Sequence, residues 1–298
     1  MLVLAQVLNG VLLGGVYALF AVGLTLLLGI VGVFNVAHGA EFALVAIAGA
    51  KIAQATGVGL LPLCLIGCAI GAGLGLVLEI VAVRPIRRRG VGIGDASLRA
   101  TLISTLAVLL ALNAINTGWT NGQPFRYPSR FTYGGFLVSG ISIQYIYLVA
   151  FLVAGGVLLL MWFGVRHTQP GRALRAVAED GEAAEMLGVS INAYSTMSLV
   201  VSGALAGLAG ILLGVAFSAV TYSFGDNFLY RGFVIVIIGG MGSILGTLVA
   251  GILLGVGEGL ASYFIGGQWQ PAVAFTGLML ILVFRPSGLF GVKEVDRS

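Results

Sequence analysis

Charge is what this chain lacks most. Of its 298 residues only 9% are Asp, Glu, Lys or Arg, against 59% hydrophobic, and the mean hydropathy is +1.08. A soluble domain carries about a quarter charged residues, so a water-soluble enzyme is excluded and no nucleic acid is expected as a partner. Cysteine and histidine are scarce as well, at two each. Cys64 and Cys68 stand four apart in one apolar run and stack on one helix face. Two thiols alone make a poor metal or redox site, so they read as packing. No Gly-x-x-x-x-Gly-Lys-Ser/Thr occurs, and the glycine-bearing stretch 90–95 lacks the Lys that would hold phosphate. The chain is therefore expected to carry no ATPase site and no metal or cofactor of its own.

What the chain has in abundance is long apolar runs. A hydrocarbon layer ~30 Å thick takes about 20 apolar residues per helix, and such segments recur at 6–29, 41–55, 60–83, 98–118, 144–164, 193–217, 229–239, 243–265 and 268–284. The expected fold is all-α, a polytopic transmembrane bundle of about 8–9 spans filling 1–298 as one domain. The second and seventh runs are short, which leaves them tilted, broken or re-entrant. A barrel is excluded because lipid-facing strands alternate apolar and polar residues, and these runs do not. The first run is too long for a signal peptide and lacks its basic flank and cleavage site, so it is expected to stay as the first helix. Eleven of the fifteen Lys and Arg fall in 84–99, 166–175 and 285–297, which the span order puts on one side. Cations accumulate on the cytoplasmic side, so that side, with the tail 285–298, is expected to be cytoplasmic. The segment 119–143, rich in aromatics, is expected outside.

Forty-seven glycines are many for a helical protein. Several fall four apart: Gly10 and Gly14, Gly67 to Gly75, Gly203 and Gly207, and Gly251 to Gly259. Small residues at that spacing let helices approach closely in lipid. Two segments break the helical pattern. One, 33–43, carries Asn35, His38 and Glu41; the other, 239–246, carries four glycines and Ser243. Both can be surface turns, or unwound backbone lining a path at mid-membrane. One break in each half hints at a distant internal repeat. His38 reads as a hydrogen bonder at a helix end or as a proton carrier. Glu79, one turn from Arg84, reads as its structural partner. Glu258 lies inside the eighth run among glycines and is a candidate to line the path.

One charged island, 166–190, stands out, with seven of the twenty-six charged residues. Pro170 and Gly171 interrupt the preceding span, and a short amphipathic helix is expected from about Arg172, bent near Asp180. Leu174, Val177, Ala178, Gly181 and Ala184 share one face, and Arg172, Arg175, Glu179 and Glu182 the other. Arg175 and Glu179 are i,i+4 partners, a pair that stabilises an exposed helix by only ~0.3 to 0.5 kcal/mol. A lipid-surface helix is usually richer in cations and large apolar residues. This one is nearly charge-balanced and small on its apolar side, which suits a cleft in a partner protein.

Glu182, Ala183 and Ala184 followed by Gly188 resemble the "EAA…G" loop with which permeases of ATP-binding-cassette (ABC) importers dock on their ATPases. The stretches 12–50, 171–181 (GRALRAVAEDG), 239–246 (GGMGSILG) and 285–291 (RPSGLFG) together resemble the permeases of high-affinity branched-chain amino acid importers, and the similarity covers essentially the whole chain. One departure is that residues 198–201 lack the proline of the general importer pattern. The resemblance implies an inner-membrane permease subunit of a prokaryote, moving branched-chain or related amino acids by alternating access. It implies a second homologous permease subunit, two cytoplasmic ATP-binding subunits that hold ATP and Mg, and an extracytoplasmic substrate-binding protein. The coupling loop would be 166–192, with Arg172, Arg175, Glu179, Glu182, Ala183, Ala184 and Gly188 docking on the ATPase. Asn35, His38, Ser243 and Glu258 would line the path. Two other functions stay open: a permease of the same build carrying urea or short amides, and a secondary transporter whose island is a regulatory loop.

Overall fold

The computed structural model describes residues 2–88, 95–131, 134–138 and 141–291. Arg89, Lys293, Arg297 and the far end of the expected tail, 292–298, lie outside the described residues. The chain is helical, as lipid demands of any segment whose peptide groups must be satisfied internally. The helices are α1 (Leu2–Leu26), α2 (His38–Thr56), α3 (Leu60–Leu78), α4 (Arg84–Arg88), α5 (Asp95–Thr120), α6 (Tyr145–His167), α7 (Gln169–Glu179), α8 (Gly181–Met186), α9 (Ile191–Ala216), α10 (Phe224–Gly239), α11 (Ile244–Phe264) and α12 (Gln270–Phe284). Two end in π-helical turns, α1 through Leu27–Val31 and α3 through Glu79–Val83. The little strand among the described residues is two short antiparallel pairs, β1 (Phe125–Arg126) with β4 (Ala219–Val220) and β2 (Gly135–Val138) with β3 (Ile141–Gln144).

Two glycine seams hold the bundle. α1 runs antiparallel to α11, and a methyl added to Gly10 would come within 2.6 Å of the Gly255 carbonyl oxygen. α3 runs antiparallel to α9 in the same manner. A methyl on Gly207 would stand 3.2 Å from the Gly71 Cα and overlap the Gly67 carbonyl. The chain reverses between the two halves. α1, α2 and α3 are matched by α9, α10 and α11: α1 pairs with α11 where α9 pairs with α3, and α2 packs on α9 where α10 packs on α1. An inverted repeat, too faint to read in the sequence, is thus visible in the packing.

Among the described residues seven helices are long and apolar enough to cross a membrane: Val3–Gly29, Leu60–Arg88, Leu98–Thr120, Tyr145–His167, Ile191–Ala216, Ile244–Phe264 and Gly267–Phe284. The two short runs of the sequence, 41–55 and 229–239, are α2 and α10, which do not qualify and instead fill the interior. They begin beside each other, where a methyl on Gly39 would come within 2.6 Å of the Gly225 carbonyl oxygen. α2 then rises to the β1–β4 end, where Gln54 Nε2 donates to the Arg126 carbonyl at 2.7 Å, while α10 descends to the Gly239 turn. Phe20, Phe42, Phe224 and Phe228 close the space around this crossing. Tyr127 fastens the segment that follows β1, donating to the Ala46 carbonyl at 2.8 Å, and burial pushes its phenol well above the ordinary value.

The described parts of the three basic segments meet at one end. Arg87 reaches α9 at Asn192, the island packs on the ends of α1 and α6, and Phe290 N donates to the Gly239 carbonyl at 3.1 Å. The N-terminus of α1 and the strands lie at the other end. The seams make a matched prediction. Gly71→Val should lower the apparent Tm of the detergent-purified chain, an overpacking cost of about 1–3 kcal/mol. Gly73→Ala, on the same helix but with nothing within 4 Å of the added methyl, should leave it unchanged.

Candidate functional site

The island folds as two short helices rather than one. α6 ends at His167, and Thr168 caps α7, its hydroxyl oxygen accepting from Gly171 N at 3.2 Å. Pro170 sits in the first turn, where its missing N–H costs nothing. Asp180 then ends α7 and caps α8, its Oδ1 accepting from Ala183 N at 3.0 Å. Gly188 closes α8 in the left-handed region at φ 86°, a conformation that glycine adopts without strain.

Burial sorts the expected docking residues. Leu174 and Gly171 are buried against the body of the protein, and a methyl on Gly171 would overlap the Gly164 and Val165 carbonyls. Arg172, Glu179, Ala183 and Gly188 are exposed, whereas Ala184 faces inward at 3% exposure. The Glu182 side chain lies outside the described residues. Arg175 does not pair with Glu179: its Nη1 turns back to donate to the Val165 carbonyl at the end of α6. The sequence reading passed over the most conspicuous side chains of the island. Met186 and Leu187 are 89% and 84% exposed at the end of α8, two large apolar groups standing free of the body. Their place between the Glu-Ala-Ala run and Gly188 was the available signal.

Two lines of contact join the island to the spanning helices. α7 lies against the π turn Leu27–Val31 that ends α1. At the start of α9, Arg87 Nε donates to Asn192 Oδ1 at 2.8 Å, and the guanidinium also bonds Ser195 Oγ and Glu79 Oε1. Thr196 Oγ1 donates to the same carboxylate at 3.2 Å. The expected partner of Glu79 was Arg84. The π turn between them shifts the helix face, so Arg87 falls over Glu79 instead.

The four expected path residues sit at three separate places. His38 is fully buried, with Nε2 3.2 Å from the Phe20 carbonyl and Nδ1 3.4 Å from Ser202 Oγ, which itself donates to the Gly23 carbonyl at 2.9 Å. It ties the start of α2 to α1 and α9. Asn35, also buried, lies near the Glu41 carboxyl, and its Oδ1 has no hydrogen-bond partner. Ser243 caps α11, its Oγ accepting from Gly246 N at 3.0 Å. Glu258 is not a bare acid: Arg231 Nε donates to its Oε1 at 2.6 Å. The rest of the guanidinium bonds the Asn227 carbonyl at 3.0 Å and Gln270 Oε1 at 3.3 Å, with the Tyr17, Phe228 and Tyr230 rings around it. Arg231 was missed in the sequence, although a cation inside an apolar run implies an intramembrane partner. Among the described residues no group of three His, Cys, Asp or Glu side chains converges to hold a metal.

Glycine-seamed spans, two interior helices meeting at their starts and a capped amphipathic pair at one end define a polytopic helical membrane protein. The chain belongs to the family described as branched-chain amino acid transport system / permease component, whose model matches residues 6–284. It is 30% identical to the high-affinity branched-chain amino acid transport system permease protein BraD of Pseudomonas aeruginosa, over 99% of this chain and 97% of that one. It is 30% identical to LivH, the protein of the same description in Escherichia coli, over the same shares. A more distant relative is the ribose import permease protein RbsC of Escherichia coli, 26% identical over 90% of this chain and 81% of that one.

The buried pair makes the prediction of this site. Breaking such a pair from one side strands a charge and costs about 3–5 kcal/mol, whereas replacing both partners by apolar groups of similar volume can be neutral. Glu258→Ala should therefore lower the apparent Tm sharply, and Arg231→Met with Glu258→Leu should recover most of the loss. Equal melting of the single and double variants would show that the pair is not coupled.

Proposed function

We propose that this chain is a permease subunit of an ABC importer for branched-chain amino acids, in the inner membrane of a prokaryote with the island and the tail in the cytoplasm. It works with a second homologous permease subunit, two ATP-binding subunits that hold ATP and Mg, and an extracytoplasmic substrate-binding protein. Family membership supports the importer reading, and the names of BraD and LivH favour this cargo over ribose, urea or short amides. The clustering of basic segments at the island end supports the orientation.

One observation carries the coupling role. Met186 and Leu187 stand exposed on a capped stem, with Arg172, Glu179 and Glu185 also exposed on the island. An apolar anchor inside a polar rim is the build of an interface hot spot. Ala183 and Gly188, without bulk, let a partner cleft close around it, and Ala184 holds the stem inward. When the ATPases close, their movement would enter through α8 and divide. One branch passes from α7 into the π turn of α1, and the other from Asn192 and Ser195 through Arg87 to Glu79 of α3. α1 and α3 each belong to one glycine seam, so both halves of the inverted repeat are driven together. Asn35, His38, Ser243 and Glu258 act in this reading as fasteners of the helices that border the path.

The test is Met186→Glu with Leu187→Glu in the assembled transporter. A hot-spot anchor is worth about 2 kcal/mol or more, so co-purified ATPase subunits and branched-chain amino acid uptake should each fall by roughly tenfold or more, with the permease present at its normal level in the membrane. Unchanged co-purification and uptake would overturn the docking assignment.

A further inference from the structure

A second feature of the island end does not belong to the docking tip. Beneath α7 lies an apolar cavity of about 310 Å³, lined by Leu26, Met161, Leu174, Met197 and Val201 among others. It has room for about ten water-sized groups, yet its wall offers little for water to bond. Thr168 and Ser198 are the hydroxyls of that wall, and Thr168 is already engaged with the Gly164 carbonyl and Gly171 N, which leaves Ser198. It is 3% exposed, lines the cavity, and its Oγ has no hydrogen-bond partner. A buried hydroxyl left unpaired is costly, and here it marks a place for a polar atom of something else.

Next to this cavity, with Val165 as a shared wall, is a cleft of about 430 Å³ lined by Trp162, Arg166, Arg175 and the 242–245 turn. Arg166 stands over the Trp162 ring at 5.3 Å, and Arg175 reaches across from α7 to the Val165 carbonyl. Neither takes part in an ion pair among the described residues. Two guanidiniums with donors to spare, above an apolar chamber, suit an amphiphile with a negative head. The level is right too. Trp162, Phe163, Arg166 and His167 form the last turns of a spanning helix, an aromatic and basic belt of the kind found at the headgroup layer. The exposed apolar side chains Leu152, Leu159, Leu160 and Phe163 lead along α6 from the lipid to this belt.

We propose that an anionic phospholipid of the island-side leaflet occupies this site, its phosphate between Arg166 and Arg175, an ester carbonyl at Ser198 Oγ, and one acyl chain in the cavity beneath α7. Basic pockets between helices at this level recognise such headgroups. The lipid would fill the space behind Leu174 and make α7 a firm lever. Arg175, expected at the ATPase, is assigned to the lipid instead.

The test uses the full-length chain in nanodiscs of phosphatidylglycerol or of phosphatidylcholine, read by native mass spectrometry for retained lipid and by apparent Tm. The wild type should retain phosphatidylglycerol and melt higher in it. Arg166→Gln with Arg175→Gln should lose that retention by about tenfold or more and lose the increment in Tm, while melting like the wild type in phosphatidylcholine. Val201→Phe, which fills the cavity and keeps both arginines, should also lose retention. Equal lipid preference in the wild type and both variants would overturn the proposal. So would inorganic phosphate raising the Tm in phosphatidylcholine as much as phosphatidylglycerol does, since the site would then take a free anion. If the ATPase subunits alone gave the same increment in phosphatidylcholine, the cleft would be a protein contact and the proposal would fail.

Discussion

Everything in this molecule depends on backbones touching backbones along two seams. In water, helices associate because apolar side chains leave the solvent; in a bilayer the lipid tails are as apolar as leucine and that drive is absent. Close packing has to supply it, and the missing Cβ atoms at Gly10, Gly14, Gly251 and Gly255, and at Gly67, Gly71, Gly203 and Gly207, are what permit it. Because each seam joins a helix of the first half to one of the second, neither half closes without the other. The interior helices α2 and α10 are then trapped between the seams. Their meeting point, Gly39 against Gly225, is one more place where a methyl group has no room.

The sequence showed the material of the seams but not their pairing. Glycines four apart mark a smooth helix face whichever partner it meets, and which face meets which is decided by the whole bundle. Hydropathy likewise found nine helical segments, and all nine exist. α2 and α10, the two short ones, carry apolar side chains that neighbouring helices bury. The inverted repeat lies in the order of contacts, which survives when the residues making them have changed.

The island was the easier part, since local rules govern it. Its polar composition, the stop at Pro170 and Gly171, the break near Asp180 and the closing glycine at 188 all follow from capping and backbone conformation within a few residues. What escaped was any role set by a partner distant in sequence. Arg231 meets Glu258 across two helices and a turn, and Arg175 turns away from Glu179 toward the end of α6. Glu79 chose Arg87 over Arg84 because a π turn, itself invisible in the sequence, re-phased the helix. Met186 and Leu187 look like core residues in the sequence, and only their exposure shows otherwise.

The seams and the charged pairs impose different limits on movement. A glycine face is smooth, so α1 can shift along α11, and α3 along α9, while keeping most of the contact. A buried ion pair has no such latitude: parting Arg231 from Glu258 would cost about 3–5 kcal/mol, more than the 1–3 kcal/mol by which distant sites are commonly coupled. The cheaper course keeps both pairs closed and lets the α1–α11 seam slide. Arg231 holds α10, α11 and α12 together through Glu258 and Gln270, while Arg87 holds the end of α3 to the start of α9. On the proposed coupling, motion from the island would meet a body already joined at α3 and α9, and the element left to move is α1, which carries a π turn under α7 and a glycine face against α11.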